Sequence, residues 1–430
     1  MISDLTSLSQ DQLKTLESDL FAQYDALKKQ GLNLDLTRGK PSTEQLDLSN
    51  DLDGILNGNY RSRDGIDVRN YGGLEGLPEC RELGATLLGM PVSQVIAGGH
   101  SSLTLMHQAM SIAYHDGLGG PGSAWGSEGT IKCLCPVPGY DRHFSICEHL
   151  GIEMIPVRMT DNGPDMGEVE QAVKQDPNIK ALWCVPRFSN PTGIVYDDET
   201  VQRIARLSRI AGEHFRVFWD NAYSVHTLHD DALALASIYE ACIEAGTEDS
   251  VLQFASTSKI TFAGAGVAFL GASASNLKRI TASLGALTIG PDKVNQLRHA
   301  RFFERPGALE DHMAQHAKIL KPRFDTVLRH LNEAFGNNHL GQWKAVKGGY
   351  FVSFDTQPGL AKAVVKLAAD AGVKLTPAGA THPYGRDPND TNIRIAPSVP
   401  GVDEVDAAMR VFTLCVELAS VRQVLNPQAA

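Results

Sequence analysis

The sequence has few of the features that mark membrane, secreted or nucleic-acid-binding proteins. No uninterrupted apolar run reaches the roughly 18–20 residues that a helix needs to cross a bilayer. The first residues, MISDLTSLSQDQL, have neither the basic start nor the apolar stretch of a secretory signal. Lys and Arg number 39 against 50 Asp and Glu, and this net charge of −11 provides no positive field for nucleic acid. We therefore expect a soluble, cytoplasmic protein without nucleic-acid or membrane partners.

The sequence also has few of the motifs that are typical of disulfide-bonded, nucleotide-binding or metal-binding proteins. The 7 cysteines are odd in number and form no CxxC pair, so we expect buried thiols in a reducing compartment. There is no P-loop and no HExxH motif, and Gly264 and Gly266 lack the third glycine of a dinucleotide fingerprint. His312 and His316 have a spacing that could ligate a metal, but a solvated face of a charged helix is favoured. We predict no metal site.

Apolar patterning predicts an α/β protein of two to three domains, as a length of 430 residues allows. Leucines at helical spacing predict an N-terminal helix over residues 9–30. From about residue 95, short apolar runs alternate with helical segments, which is typical of a mostly parallel sheet. The predicted strands are 131–136, 153–159, 180–186, 216–220, 250–256 and 266–272, and the predicted helices are 101–114, 141–150, 165–175, 197–214 and 232–246.

A different pattern follows residue 291. The predicted elements are a charged helical stretch to about residue 335, a strand at 348–355, a helix at 358–372, an extended segment at 392–397 and a helix at 402–421. This order indicates a smaller α+β domain. We assign residues 1–50 to a segment that packs with this domain, residues 51–320 to the large domain and residues 321–430 to the small domain.

Two charged residues follow predicted strands, at the edge where a parallel sheet binds ligands. Lys259, in FASTSKITFAGAGVAF, becomes a nucleophile if burial lowers its pKa, although a solvated surface lysine is the simpler explanation. Asp220, in VFWDNAYS, could pair with a protonated pyridine nitrogen or could cap a helix. Tyr223 lies three residues further on.

Two further motifs could bind other polar groups of a ring cofactor, namely a phenolate oxygen and a phosphate. Asn190, in the NPTG turn, is held where its amide could hydrogen-bond a phenolate oxygen. Gly99, His100 and Ser101, in VIAGGHSSLTLMHQAM, open a predicted helix whose N-terminal N–H groups suit a phosphate. Each motif is common by itself.

The order of these motifs is more specific than any one of them. An anion-binding turn, NPTG, D-x-x-Y and S-x-S-K follow one another along the chain. In this the sequence resembles the class I and II aminotransferases of the fold-type I pyridoxal-phosphate (PLP) enzymes, from the TRGKPS loop to NIRIAPS. The segments TRGKPS, GGHSSLTLMHQ and STSKITFAGAGVAF resemble a divergent aspartate aminotransferase subgroup related to MocR-type aminotransferase domains. The resemblance implies a large domain with a mostly parallel, seven-stranded sheet and a smaller α+β domain.

The resemblance also implies roles for residues that match the family motifs. Lys259 would hold PLP as a Schiff base and shuttle the substrate proton. Asp220 would pair with the pyridine nitrogen, and Asn190 and Tyr223 would bind the phenolic oxygen. Tyr140, in PVPGYDRHF, would stack on the ring.

Other matches concern the phosphate, the substrate and the neighbouring subunit. The residues implied to hold the phosphate are Gly99, His100, Ser101 and Ser256. Arg394, in NIRIAPS, would clamp the substrate α-carboxylate through a bidentate pair, with Gly39 and Asn190 beside the substrate. Tyr71, in NYGGLEGLPECR, would reach the phosphate of the neighbouring subunit, which implies a homodimer with shared active sites.

The substrate is the least constrained prediction. The family usually has an arginine for the phosphate eight residues after the lysine, where this chain has Val267. No motif identifies a residue for a distal carboxylate, for which Arg38 and Arg386 are the candidates. We expect transamination from an acidic amino acid, above all aspartate, to 2-oxoglutarate. The alternatives are an aromatic or aminoadipate aminotransferase, a β-lyase, or a PLP-binding effector module without turnover, although no DNA-binding domain precedes residue 30.

Overall fold

The N-terminal segment begins with a helix and a short strand. The computed structural model describes residues 5–120 and 122–426. Helix α1 (Gln10–Lys28) starts at a capping box, in which the Ser9 hydroxyl accepts from the Gln12 N–H and the Gln12 side chain bonds back to the Ser9 N–H. Strand β1 (Leu34–Leu36) and helix α2 (Thr43–Asp47) follow.

The middle of the chain forms a large sheet between helices. Its helices are α3 (Pro78–Leu88), α4 (Ser102–His115), α5 (Asp141–His149), α6 (Met166–Gln175), α7 (Asp198–Ala205), α8 (Ser208–Ala211), α9 (Ile238–Ala245), α10 (Ala274–Leu287) and α11 (Lys293–Phe302). Its strands are β2 (Val95–Ala97), β3 (Lys132–Val137), β4 (Glu153–Thr160), β5 (Gly163–Pro164), β6 (Ile179–Cys184), β7 (Arg216–Asp220), β8 (Val251–Ser256) and β9 (Ala268–Gly271). The strand order is β2-β9-β8-β7-β6-β3-β4-β5.

The five central strands of this sheet, from β8 to β4, are parallel. Strands β2, β9 and β5 pair antiparallel with their neighbours at the two edges. Helices α4, α5 and α10 pack in one apolar cluster with the sheet, and α6, α7 and α9 pack in another. The predicted α/β class is confirmed, and the two-residue β5 extends the expected seven strands to eight.

The C-terminal part has its own small sheet. It contains α12 (Ala308–Phe335), β10 (Gly341–Trp343), β11 (Val352–Thr356), α13 (Ala361–Asp370), β12 (Val373–Leu375), β13 (Asn392–Ile395) and α14 (Val402–Leu425). Strands β10, β11 and β13 form an antiparallel sheet, whereas β12 pairs in parallel with β1. One buried cluster joins α1 and β1 to α12, α13 and α14. The predicted boundary after residue 320 falls inside α12, and the domain division stays a prediction.

Three predicted elements differ in their residue ranges from the elements in the structure. The helix expected at 197–214 is divided into α7 and α8, because the N–H groups of Arg206 and Leu207 bond three residues back and tighten the turn. The helix expected at 232–246 begins only at Ile238. The strand expected from residue 348 begins at Val352. Its two glycines lie against Phe188 instead, and a Cβ on Gly348 would be 2.4 Å from that ring.

His312 and His316 were predicted to lie on a solvated face of a charged helix. Both lie on α12, but they are only 9% and 1% exposed, so the predicted solvated face is wrong. The helix packs against the turn that follows β8, and both imidazoles bond to the Ile260 carbonyl. The expected burial of the cysteines is confirmed, since all seven are buried and free. Within the described ranges, no helix is long and apolar enough to cross a membrane.

Candidate active site

The predicted site residues converge on one cavity of about 750 Å³. It opens at the carboxyl ends of β3, β6, β7 and β8, where polar side chains of parallel strands meet. The remaining wall comes from the loop after β1, from the start of α4 and from the C-terminal part of the chain. Among the predicted residues, those that line the cavity are Gly39, Ser101, Tyr140, Asn190, Asp220, Tyr223, Ser256, Lys259 and Arg394.

Lys259 lies in the turn that follows β8. Its Nζ is 4.9 Å from the centroid of the Tyr223 ring. Burial lowers the pKa of the Lys259 amine, and the negative charge of Asp220 opposes this shift. A larger fraction of the amine is therefore unprotonated at neutral pH than for a lysine in water, which makes it a nucleophile and a base.

Asp220 ends β7 and is 2% exposed. Its Oδ2 accepts a hydrogen bond from His143 Nε2 at 2.9 Å, and the imidazole is stacked on Trp183 with a centroid separation of 4.2 Å. The other oxygen, Oδ1, is buried and has no hydrogen-bond partner among the described residues. An unpartnered buried carboxylate oxygen is costly, and a cationic N–H donor from a bound ring would satisfy it.

His143 was not identified from the sequence. It lies three residues after Tyr140 in PGYDRHF, on the first turn of α5, and a helix periodicity argument could have placed both on one face. Tyr140 caps α5 and meets the His143 ring edge-on at 5.0 Å. Tyr223 is 2% exposed, and burial raises the pKa of its hydroxyl.

One end of the cavity carries four hydroxyl groups near a helix N-terminus. Ser101 is the N-cap of α4, and its side chain makes no capping bond. The Ser256 and Ser258 hydroxyls are 3.1 Å apart. The lining hydroxyls are those of Ser101, Ser102, Ser256 and Ser258. Together with the first N–H groups of α4, these hydroxyls are donors of the kind that bind anions.

Two residues predicted to hold the phosphate lie outside the cavity lining, and their role stays a prediction. Gly99 and His100 are exposed and do not line the cavity, although the His100 carbonyl accepts from Ser258 Oγ at 3.4 Å. Ser102 and Ser258 were missed, although both are hydroxyl neighbours of the predicted Ser101 and Ser256. Val267 is 1% exposed in the core, so its position supplies no cation.

Arg394 extends from β13 and is 7% exposed. Its Nη1 donates to Asp141 Oδ1 at 3.1 Å and to Asn190 Oδ1 at 3.3 Å. Its Nε donates to Thr376 Oγ1 at 3.3 Å. These contacts hold the planar guanidinium at the cavity wall, where it can grip a carboxylate.

Gly39 supports Arg394 indirectly. The Arg394 guanidinium lies over the Phe351 ring, 4.9 Å from its centroid. A Cβ on Gly39 would be 2.4 Å from Phe351 Cζ. The glycine therefore leaves room for the ring on which Arg394 is stacked.

Three further cations line the cavity. Arg38 and Lys40 come from the loop after β1, and Arg142 follows Asp141 at the start of α5. The Arg142 Nε is 3.7 Å from Asp141 Oδ2, so one carboxylate reaches both Arg142 and Arg394. Arg386, the other candidate for a distal carboxylate, is exposed and does not line the cavity of its own chain. Arg142 was not predicted from the sequence.

Tyr71 is not part of the cavity of its own chain. It is 83% exposed, and two other large apolar side chains, Leu287 and Ile289, are each 64% exposed. The two segments touch, because a Cβ on Gly290 would be 2.6 Å from the Gly72 carbonyl oxygen. We call Tyr71, Leu287 and Ile289 the Tyr71 patch.

A group of sulfurs lies behind the site. The Sγ atoms of Cys133, Cys135 and Cys147 are all within 4.8 Å of one another. Cys147 accepts from Trp183 Nε1 at 3.3 Å, and burial raises the pKa of the Cys133 and Cys135 thiols. This arrangement is that of hydrogen-bonded thiols in an apolar core, and the expectation of no metal stays a prediction.

Comparison with known proteins identifies the family. A family model described as aspartate amino-transferase matches residues 8–428. The chain belongs to this family. An aspartate aminotransferase of Corynebacterium glutamicum is 44% identical over 98% of this chain and 98% of its own length. A crystal structure of an aspartate transaminase from that organism has a TM-score of 0.94 and covers 97% of this chain and 99% of its own.

The fold extends to more distant aminotransferases. An α-aminoadipate aminotransferase from Thermus thermophilus is 19% identical, with a TM-score of 0.73 over 91% of this chain and 93% of its own. That structure is complexed with N-(5'-phosphopyridoxyl)-L-leucine. The present protein is therefore an aminotransferase with the fold-type I architecture, and both predictions are confirmed.

Proposed function

We propose that this aminotransferase uses PLP bound to Lys259 to move the amino group of aspartate to 2-oxoglutarate. The observation that carries the proposal is the convergence in one cavity of the Lys259 amine, an unpartnered oxygen of Asp220 and the Arg394 guanidinium. The name of the Corynebacterium relative supports aspartate as the donor.

The side chains fit the parts of PLP. Asp220 Oδ1, which has no partner among the described residues, would accept from the protonated pyridine nitrogen, while His143 holds the other oxygen. Tyr140 would hold the face of the ring, and the Asn190 amide and the Tyr223 hydroxyl would hold the phenolic oxygen. The phosphate binds at the α4 N-terminus and at the hydroxyls of Ser101, Ser102, Ser256 and Ser258.

When bound, PLP supplies an electron sink for negative charge that develops at the substrate Cα. Lys259 would be the base that takes the Cα proton and returns it, since its amine lines the same cavity as the other proposed groups. The lowered pKa of this amine suits both steps. Asp220 keeps the pyridine nitrogen protonated, which maintains the electron sink.

The two carboxylates of aspartate bind two different arginines in this proposal. Arg394 holds the α-carboxylate, beside Asn190. Arg142 holds the distal carboxylate, since the Asp141 carboxylate that contacts Arg394 also reaches Arg142. Because 2-oxoglutarate is also a dicarboxylate, the same pair of arginines binds the amino-group acceptor in the second half-reaction.

Substitution of the arginines tests the substrate assignment. Arg142→Gln should lower kcat/KM for aspartate about 10- to 100-fold and leave that for alanine almost unchanged, because only the distal charge-assisted contact is lost. Arg394→Lys keeps the charge but loses the fork, so kcat/KM should fall on the order of 10²-fold for every amino acid. For both variants, kcat/KM is measured from the rate of keto-acid formation with a panel of amino acids.

Arg386→Gln is the matched control, because Arg386 is an exposed arginine outside the cavity. It should retain the parent values. If Arg142→Gln loses alanine and aspartate equally, Arg142 is not the distal-carboxylate residue. If Arg38→Gln instead shows the selective loss, that role belongs to Arg38.

The proposed active unit is a cytoplasmic homodimer in which Tyr71 completes the phosphate site of the partner. The exposure of the three large apolar side chains of the Tyr71 patch supports this, since exposed apolar groups are common at interaction sites. Mixed dimers of Tyr71→Phe and Lys259→Ala chains should regain one intact site, whereas each variant alone should not. An active monomer in light scattering at the assay concentration would contradict the shared site.

A further inference from the structure

The turn that carries Lys259 leaves two carbonyl groups without backbone partners. The Ile260 and Thr261 N–H groups both bond to the Thr257 carbonyl at 2.8 Å. The turn does not continue as a helix, so no backbone N–H of the described residues bonds to the carbonyl oxygen of Lys259 or Ile260. Buried carbonyl groups need donors, and here side chains from distant parts of the chain provide them.

The Lys259 carbonyl is bound by an imidazole and a phenol. His226 Nε2 lies 3.1 Å from it and Tyr350 donates its hydroxyl at 3.5 Å. His226 is 3% exposed, and its Nδ1 has no partner among the described residues. The single proton of the neutral ring therefore belongs on Nε2, where it bonds to the carbonyl.

The Ile260 carbonyl is bound by two imidazoles of α12. His312 Nε2 and His316 Nε2 are 2.6 and 2.9 Å from its oxygen. His316 Nδ1 accepts from the Gln45 amide at 2.9 Å, which fixes the proton of His316 on Nε2. The i, i+4 spacing that resembled a metal site thus places two Nε2 atoms, 3.1 Å apart, beside one carbonyl oxygen.

Gln45 joins the two halves of this arrangement. Its Nε2 also donates to the Tyr350 hydroxyl at 2.8 Å, which leaves the phenolic proton free to point at the Lys259 carbonyl. Its Oε1 accepts from the Ser42 N–H at 3.1 Å, which fixes the orientation of the amide. Burial lowers the pKa of His226 to about 3 and that of His316 to about 4, so both rings are neutral at physiological pH.

We infer that these five side chains form a carbonyl clamp that positions the Lys259 amine for its proton transfers. The clamp consists of Gln45, His226, His312, His316 and Tyr350. None of them lines the cavity, so they are positioning residues that act through the Lys259–Ile260 and Ile260–Thr261 peptides. A rotation of either peptide would be amplified along the lysine side chain, and a misplacement of about 1 Å can cost a factor of about 10² in rate. The inference rests on the proposed role of Lys259.

Exchange of His226 for leucine and for glutamine tests the clamp. Leucine removes the donor, whereas glutamine places an N–H group near the position of Nε2. In His226→Leu, kcat should fall about 10- to 100-fold while KM for aspartate stays within about threefold. The pH midpoint of the visible absorbance of the bound cofactor should move by about 0.5 units or more, because the surroundings of the Lys259 nitrogen change. His226→Gln should recover most of both values.

The matched control is His330→Leu. His330 is also a histidine of α12 with 9% exposure, but it bonds to Asp406 at 2.8 Å, away from the clamp. This variant should keep the parent absorbance midpoint even if its thermal stability falls. Tyr350→Phe provides a milder second perturbation, because it keeps the ring and removes only the hydroxyl donor.

The outcomes separate this inference from the function on which it rests. Parent values of kcat and of the absorbance midpoint in both His226→Leu and Tyr350→Phe would overturn the clamp. An equal shift of the midpoint in His330→Leu would also overturn it, because general loosening of the fold would then be the cause. If borohydride fixes no cofactor to Lys259 in the parent protein, the proposed function fails instead.

Discussion

Replacement of Gly39 by alanine would put a methyl group where the Phe351 ring already lies. The new Cβ would be 2.4 Å from Cζ and 2.8 Å from Cε1 of that ring. Since comfortable carbon contacts are about 3.5–4.0 Å, the ring must move by about 1 Å. Arg394, whose guanidinium is stacked 4.9 Å from the ring centroid, then loses its support.

We expect Gly39→Ala to lower kcat/KM for aspartate about 10²-fold, because a misplacement of about 1 Å in a positioning group can cost this much. Cofactor absorbance should stay unchanged, since neither Gly39 nor Phe351 is assigned to PLP. Steady-state kinetics with aspartate and 2-oxoglutarate, together with absorbance spectra, measure the two effects separately.

Gly401→Ala is the control for the general effect of an added methyl group. Its Cβ would meet only Glu404 Oε2, at 3.8 Å, and its kcat/KM should stay within about twofold of the parent. A Gly39→Ala enzyme with parent kcat/KM would refute the reasoning. Phe351→Leu added to Gly39→Ala should restore part of the activity if overlap with the ring is the cause.

Three other predictions concern the cofactor and acid stability. Lys259→Ala should abolish multiple turnovers and borohydride fixation of PLP, and a variant with the parent rate would remove Lys259 from the mechanism. Asp220→Asn should lower kcat by about 10²–10³-fold with an unchanged circular dichroism spectrum, and a loss below twofold would leave Asp220 a structural role only. His226 has a folded pKa of about 3 against an ordinary 6.5, chiefly through burial and then through the nearby Lys259 charge. Below pH 6.5 the unfolded chain binds a proton that the folded chain does not, so the free energy of unfolding should fall with decreasing pH, by up to about 1.4 kcal/mol per unit for this group. The free energy of unfolding, measured with urea at pH 5 and at pH 7.5, should depend less on pH in His226→Gln than in the parent protein. An equal pH dependence in the two proteins would contradict the burial argument.

The site residues that were easiest to predict from the sequence are those at the ends of strands. Asp220, Asn190 and Lys259 are far apart in the chain, but each follows a parallel strand, and the fold therefore brings them to one edge of the sheet. The apolar runs predicted these strands because buried parallel strands are continuously hydrophobic.

Residues whose role depends on a partner from another element were harder to predict. His143 meets Asp220 only because the packing of α5 on the sheet brings its ring to the end of β7, and Arg142 lines the cavity only because α5 also begins there. His312 and His316 were assigned to a solvated face, since the charges on α12 are visible in the sequence but the turn that covers these two rings is not. Pairings of this kind depend on tertiary packing, which a single sequence does not specify.

If Arg142 and Arg394 bind the two carboxylates of the substrate, as proposed, the carboxylate of Asp141 should affect how the enzyme discriminates among small anions. It already occupies the space between Arg142 and Arg394, so these two guanidinium groups and their shared counter-ion carry one positive charge rather than two. An incoming monoanion such as acetate or chloride must compete with a tethered carboxylate for a single contact and gains little. A dicarboxylate engages both arginines at once and therefore competes far better. Cellular salt should accordingly be a weak competitor, and the enzyme should remain available to its substrates at ionic strengths that would saturate an unguarded pair of arginines.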